Sequence, residues 1–293
     1  MTPVQSLWFS LFITAFYPVA GKYAVGIISP IALLLCGTLI AILFFSPWLT
    51  KEKLWGRFFK KDVFVKFAVV GLFGTSLPFT LIFIALHYTT PTNSAILNQT
   101  EVVYSLILAA IFLHEKPTAK QLLGTGLVIC GVVLTLFNGN FSVRWKGDLI
   151  VLCTVWMFQV SHIAAKKLPA DLTPAFVTAG RVLFSFFWSL PLWLLMYLFG
   201  ADTGMDFSSK SFMVVIYFGI VNYVFGNLTW YKAIRNMDLS KATAVILSYP
   251  AFTYLISVFA GYDKFGFYQT AGLILALSGA YMVTSVIRKA KAK

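Results

Sequence analysis

The chain has 293 residues, 59% hydrophobic and only 11% charged, with a mean hydropathy of +0.83 and a formal net charge of +13. A soluble domain carries about a quarter charged residues, so this composition speaks against a soluble globular enzyme. The positive charge would suggest nucleic acid in a soluble chain, but here it falls in alternate loops between apolar blocks, which is a membrane pattern.

Taken in order, the apolar runs predict ten spans at roughly 4–24, 30–49, 66–87, 92–113, 119–137, 147–166, 173–199, 211–233, 240–260 and 266–287. A helix rising about 1.5 Å per residue needs about twenty residues to cross a hydrocarbon core of about 30 Å. The opening MTPVQSLWFS has no basic region and no cleavage site, so the first run is expected to be retained as a span. Basic residues gather after even-numbered spans: Lys51, Lys53, Arg57, Lys60, Lys61 and Lys66; Lys116 and Lys120; Lys166 and Lys167; Lys232, Arg235 and Lys241; then Arg288, Lys289, Lys291 and Lys293. These are 17 of the 23 Lys and Arg residues. The bias places both termini in the cytoplasm of a cell with an inner membrane, and an even number of spans satisfies that. Cys36, Cys130 and Cys153 lie in apolar runs without metal-ligand spacing, and read as small buried hydrophobes. No metal and no cofactor is expected.

The fourth span carries Asn98, Gln99 and Glu101 near its middle. A carboxylate at that depth costs about 3 kcal/mol on insertion scales, so it should face a cavity or a partner. Asn98 and Glu101 are three apart and share a face, extended by Ser94 and Ser105. Two readings stand. Glu101 binds an ammonium group or carries a coupling proton, or it makes a structural hydrogen bond to a neighbouring helix, with Arg181 as one partner. In span six Gln159 and His162 are also three apart. His162 is a second coupling candidate, although its place near the cytoplasmic end favours a structural role. Arg181, eight residues into span seven, could snorkel, pair with Glu101 or meet a substrate carboxylate; a structural role is favoured.

Span eight reads GIVNYVFGNLTWYKAI. Asn222, Gly226 and Trp230, or Tyr223, Asn227 and Trp230, make a polar and aromatic stripe at helical spacing. Ser248, Tyr249 and Tyr254 of span nine and Tyr104 of span four add to it. Such a set suits a pocket for an amine or an amphipathic metabolite through cation–π contacts. The plainer reading is packing, since aromatics are 17% of the chain. Trp8 and Tyr88 read as interfacial belt residues. Pro78, Pro91 and Pro250 are expected to kink or start helices.

The pattern then repeats. AILNQTEVVY from Ala95 is matched by AVILSYPAFTY from Ala244, with Pro250 at the place of Glu101. Glu115 matches Asp263, Gly124 matches Gly272 and Gly131 matches Gly279, each at a separation of 148. Two five-span halves follow, and five being odd, the second must lie inverted relative to the first, as in many secondary transporters. Each glycine pair is seven apart, two helical turns, and so lies on one close-packing face. The partner of that face is left open between the same chain and a second copy in a homodimer.

At these residues the chain resembles the EamA-type ten-helix members of the drug/metabolite transporter superfamily. The resemblance spans nearly the whole chain, as repeats at 1–138 and 147–288. It is carried by Trp156 and Lys166 bounding span six, by Arg181, by TEVVYSLILAAIFLHEKPTAKQLLGTGLVICGVVL, and by the acidic Glu115 with Asp263 in the equivalent place. The chain departs from the family pattern in span one, with Phe12 or Phe16 for a common tryptophan. It departs again with Cys36-Gly37 for a frequent arginine, and with Val102 where a proline often follows the glutamate. The resemblance implies an all-α integral membrane fold, with cytoplasmic termini and two halves that rock.

No glycine-rich nucleotide loop and no GxSxG occurs, so neither an enzyme nor an ATP-driven pump is expected. The expected function is secondary transport, as an exporter of small organic solutes such as amino acids or related metabolites. A multidrug or organic-cation efflux permease is the alternative; an intramembrane enzyme or a non-transporting scaffold stands behind both. The expected partners are a small-molecule substrate, the lipid bilayer and a coupling proton.

Overall fold

The computed structural model describes residues 2–113, 118–137, 145–236 and 245–284. Helices dominate, and among the described residues the β structure is one isolated bridge between Ile28 and Met205. Helix α1 is Pro3–Ala24 and α2 is Pro30–Lys51. Helix α3, Lys61–Tyr88, has a π-helical segment at Leu72–Ser76. Helix α4 covers 91–113 as Pro91–Leu97, a 3₁₀ turn at Asn98–Thr100, and Glu101–Leu113. Helices α5, α6 and α7 are Ala119–Phe137, Trp145–Lys166 and Pro174–Leu198. Helix α8 covers 209–236 and holds a second π-helical segment at Tyr217–Gly226. Helices α9 and α10 are Tyr249–Phe259 and Phe267–Thr284. Among the described residues seven helices are long and apolar enough to cross a membrane; they are α1, α2, α3, α5, α6, α7 and α8.

Local chemistry sets the helix starts. Thr2 and Gln5 form a reciprocal capping box at α1. Ser29, Thr90, Thr173 and Ser208 each accept a backbone N–H from the first turn of the helix that follows. Pro91 and Pro250 stand in first turns, where a missing N–H costs nothing. Span nine, expected over 240–260, is described from residue 245, helical at 245–246, with a turn at 247–248 before the helix Tyr249–Phe259. Glu115, Lys116, Lys241 and the basic tail lie outside the described residues.

Three close crossings bring the helices together. The ring of Phe67 lies on Gly180, joining α3 to α7, and Phe58 in the 3₁₀ turn Trp55–Phe59 before α3 stacks on Phe176 of α7 at 4.2 Å. Helix α2 meets α8 where Gly219 approaches the carbonyl of Gly37. Helices α5 and α10 cross through four glycines. A Cβ on Gly124 would stand 2.7 Å from the carbonyl oxygen of Gly279, and one on Gly131 would stand 2.6 Å from that of Gly272. The glycine faces are therefore used against each other within one chain. Small residues are needed because lipid gives two apolar helices no hydrophobic reason to associate; backbone proximity supplies the contact instead.

One expectation fails. Cys130 and Cys153 are exposed and Cys36 is half-buried, so the cysteines are not core residues. In a helix that is apolar all round, the lipid face and the packed face have the same composition, and sequence does not separate them.

Candidate functional site

The interruption in α4 prepares the site. Thr100 competes with the helical backbone bonds there, its Oγ1 donating to the Leu97 carbonyl at 2.8 Å. The 3₁₀ turn Asn98–Thr100 is followed at once by Glu101. Gln159 Nε2 of α6 donates to Glu101 Oε1 at 2.6 Å, and His162 Nδ1 stands 3.4 Å from the same oxygen. Tyr104 donates to the Leu152 carbonyl at 3.1 Å, fixing α4 to α6 on the same side. The Glu101 side chain keeps 32% of its surface and His162 keeps 40%, so the carboxylate is partly accessible.

Tyr249 closes the site from α9. Its hydroxyl donates to the Ala95 carbonyl at 3.3 Å and lies within interaction reach of Asn98 and Glu101. Other polar atoms on the same turns of α4 lack protein partners. Ser94 Oγ, Asn98 Oδ1 and both ends of the Gln99 amide are buried without a protein hydrogen-bond partner. An unsatisfied buried polar group costs about 1–3 kcal/mol, and a solute with hydrogen-bonding groups would satisfy it.

Arg181 does not pair with Glu101 and does not snorkel. It is buried, its Nε donates to Thr75 Oγ1 at 2.8 Å, and an Nη donates to the Gly74 carbonyl. Both acceptors belong to the π-helical segment of α3.

The expected stripe on α8 divides. A π-helix needs more residues per turn than an α-helix, so the i, i+4, i+7 register does not survive Tyr217–Gly226. Asn222 and Tyr223 are both buried, each with one polar end lacking a partner. Asn227 instead donates to the Tyr223 carbonyl of its own helix at 3.1 Å. Trp230 packs against Leu7 and Ala233, and Ser248 donates to the Val245 carbonyl at 2.7 Å. These three make local bonds or packing and are not brought to Glu101. The Ser105 side chain lies outside the described residues.

Tyr17 of α1 belongs here, although the sequence reading passed over it. Its buried hydroxyl has no partner, its ring lies 5.1 Å from Phe79 and 5.6 Å from Phe218, and it is within electrostatic reach of Tyr223 and Tyr249. The usable signal was Tyr17 directly before Pro18 inside a span, where proline leaves a carbonyl unbonded. Asp263, equated with Glu115, is a capping residue. Its Oδ2 accepts from Ser257 Oγ at 2.6 Å and from the Thr92 N–H at the start of α4 at 3.3 Å. Among the described residues no group of three or more His, Cys, Asp or Glu could hold a metal ion.

The profile of the EamA-like transporter family matches residues 4–137 and 145–285. An uncharacterized transporter of Archaeoglobus fulgidus is 25% identical over 82% of this chain and 84% of its own length. The uncharacterized transporter YyaM of Bacillus subtilis is 26% identical over 97% of this chain and 94% of its own. A probable terminal-alkyne amino-acid exporter of Streptantibioticus cattleyicolor is 26% identical over 50% of this chain and 48% of its own. A solved crystal structure superposes with a TM-score of 0.67 at 15% identity, covering 96% of each chain, a likeness of fold alone. With both matched segments together covering nearly every residue, the chain is a membrane transporter, not an enzyme, and it belongs to the EamA-like transporter family.

Proposed function

We propose that the protein is a secondary transporter, working as an exporter, of small organic solutes bearing an amine, with amino acids or related metabolites as cargo. The observation that carries this reading is Glu101, held mid-span by Gln159 and His162 beside buried polar atoms that have no protein partner. Intramembrane ionisable residues default to a transport role. Glu101 is the ammonium site and the coupling carboxylate; His162 and Gln159 orient it. Tyr17, Asn98, Gln99, Tyr223 and Tyr249 form the rest of the lining. The name of the exporter from Streptantibioticus cattleyicolor agrees with amino acids as cargo.

The halves 1–138 and 147–288 are read as inverted five-helix repeats, giving ten spans with cytoplasmic termini in an inner membrane. Contacts between equated positions support this. Gly131 meets Gly272 and Ala276, while Gly279 meets Gly124 and Val128; adding or subtracting 148 converts one set into the other. Gly71 meets Ser185, and Gly219 meets Gly37, at the same offset. Reciprocal contacts of this kind are what a two-fold relation produces. With an in-plane axis the halves can rock about a central site.

The test is uptake of labelled amino acids by proteoliposomes under an imposed pH gradient. Gradient-dependent flux supports the reading; flux of organic cations alone would favour the efflux-permease alternative, to which the aromatic lining is also suited.

A further inference from the structure

We propose that Arg181 and Tyr223 form a carboxylate-binding subsite, so that the cargo is held by its anionic end at α7 and α8 as well as by its amine at Glu101. This deepens the proposed function and rests on it for the amine end only. Arg181 is 6% exposed, and its polar partners are Thr75 Oγ1 and the Gly74 carbonyl. Both are neutral. A guanidinium has five N–H donors in a rigid fork, so two bonds leave most of the fork unused. A buried charge without a counter-charge is costly in a membrane domain and should be retained only for a reason.

Packing does not supply that reason. Subtracting 148 from Arg181 gives Leu33, which is fully buried, and adding 148 to Gly74 and Thr75 gives Asn222 and Tyr223. The second π-helical segment thus has a leucine in the place of the arginine. The fold accepts an apolar side chain at that position in one half and keeps a cation in the other.

A second, independent feature points the same way. Tyr223 is 1% exposed, and its hydroxyl is buried without a hydrogen-bond partner, within electrostatic reach of Arg181. A hydroxyl donor and a guanidinium fork are the two groups a carboxylate accepts from best. Each is borne on, or bonded to, a π-helical segment, a feature common at functional sites. Helix α6 borders both groups: it presents Gln159 and His162 to Glu101, and its Ser161 lies against Gly74 beside Arg181. A carboxylate and a guanidinium bordering the same helix suit a cargo that carries charges of both signs.

The experiment uses the full chain in lipid nanodiscs and three probes: L-phenylalanine, 3-phenylpropionate, which lacks the amine, and phenethylamine, which lacks the carboxylate. Affinities are read for the parent, Tyr223→Phe and Arg181→Lys. Tyr223→Phe removes a hydroxyl that bonds to nothing in the protein and so tests the subsite even if Arg181→Lys fails to fold. Both carboxylate probes are expected to weaken at least tenfold, with phenethylamine unchanged within twofold. Equal weakening of all three probes, or no binding of either carboxylate probe to the parent, overturns the subsite. If 3-phenylpropionate binds through Tyr223 but vesicles move no amino acid, the subsite stands and the amino-acid transport reading falls.

Discussion

Gly131 of α5 and Gly272 of α10 approach so closely that a Cβ on Gly131 would stand 2.6 Å from both the Gly272 carbonyl oxygen and the Ala276 nitrogen. These neighbours are backbone and have no rotamer to yield. Gly131→Ala must push the helices apart, and overpacking of this kind costs about 1–3 kcal/mol. Gly126 on the same helix has nothing within 4 Å of such a Cβ. Gly126→Ala should therefore be neutral or slightly stabilising, since alanine is the better helix former. Thermal melts of both variants in the same nanodiscs check the contrast.

Lys22 ties α1 to the end of α3. Its Nζ donates to the carbonyls of Leu86 and, at 3.1 Å, Thr89. The last carbonyls of a helix lack intrahelical partners and carry the negative end of its dipole, so a cation there is favourable. Lys22→Met should lower stability by about 1–2 kcal/mol, and Lys22→Arg should recover part of it. A melting temperature for Lys22→Met equal to that of the parent would show the bonds contribute nothing net.

Asp263 joins α9 to α4 through one carboxylate oxygen, which accepts from Ser257 Oγ and the Thr92 N–H. Asp263→Ala leaves both donors without this acceptor and should cost about 1–2 kcal/mol. Asp263→Asn keeps an oxygen acceptor and should lose less. Equal losses would mean the negative charge, not the hydrogen bonds, is what matters.

Much of this was legible in the sequence. The apolar blocks mark the helices, and Glu101 stands out because a carboxylate mid-span demands a reason. The two glycine pairs foretold a close crossing, though not that they would meet each other. Three things were hidden. The exposed position of Cys130 and Cys153 cannot be read from apolar composition. The π-helical segment of α8 shifts the side-chain register, which turns Trp230 away from the face of Tyr223, and Asn227 spends its amide on the Tyr223 carbonyl. The partners of Arg181 are a threonine and a backbone carbonyl, and a backbone group leaves no mark in a sequence.

Glu101→Gln separates structure from coupling. Glutamine has nearly the same shape and can still accept from Gln159 Nε2 through its amide oxygen, so the contact between α4 and α6 is kept and stability should change by less than about 1 kcal/mol. The substitution removes the charge that an ammonium group would meet and the proton that a gradient would drive. Flux of an amine-bearing cargo in proteoliposomes should fall at least tenfold, on the scale of a lost charge-assisted hydrogen bond of about 1.5–3 kcal/mol. The parent should respond to an imposed pH gradient and the variant should not. His162→Asn keeps a polar group beside the carboxylate and removes only a titratable one, so it should leave that response in place. A Glu101→Gln protein that follows the gradient as the parent does would make Glu101 structural, and would place coupling elsewhere in the chain.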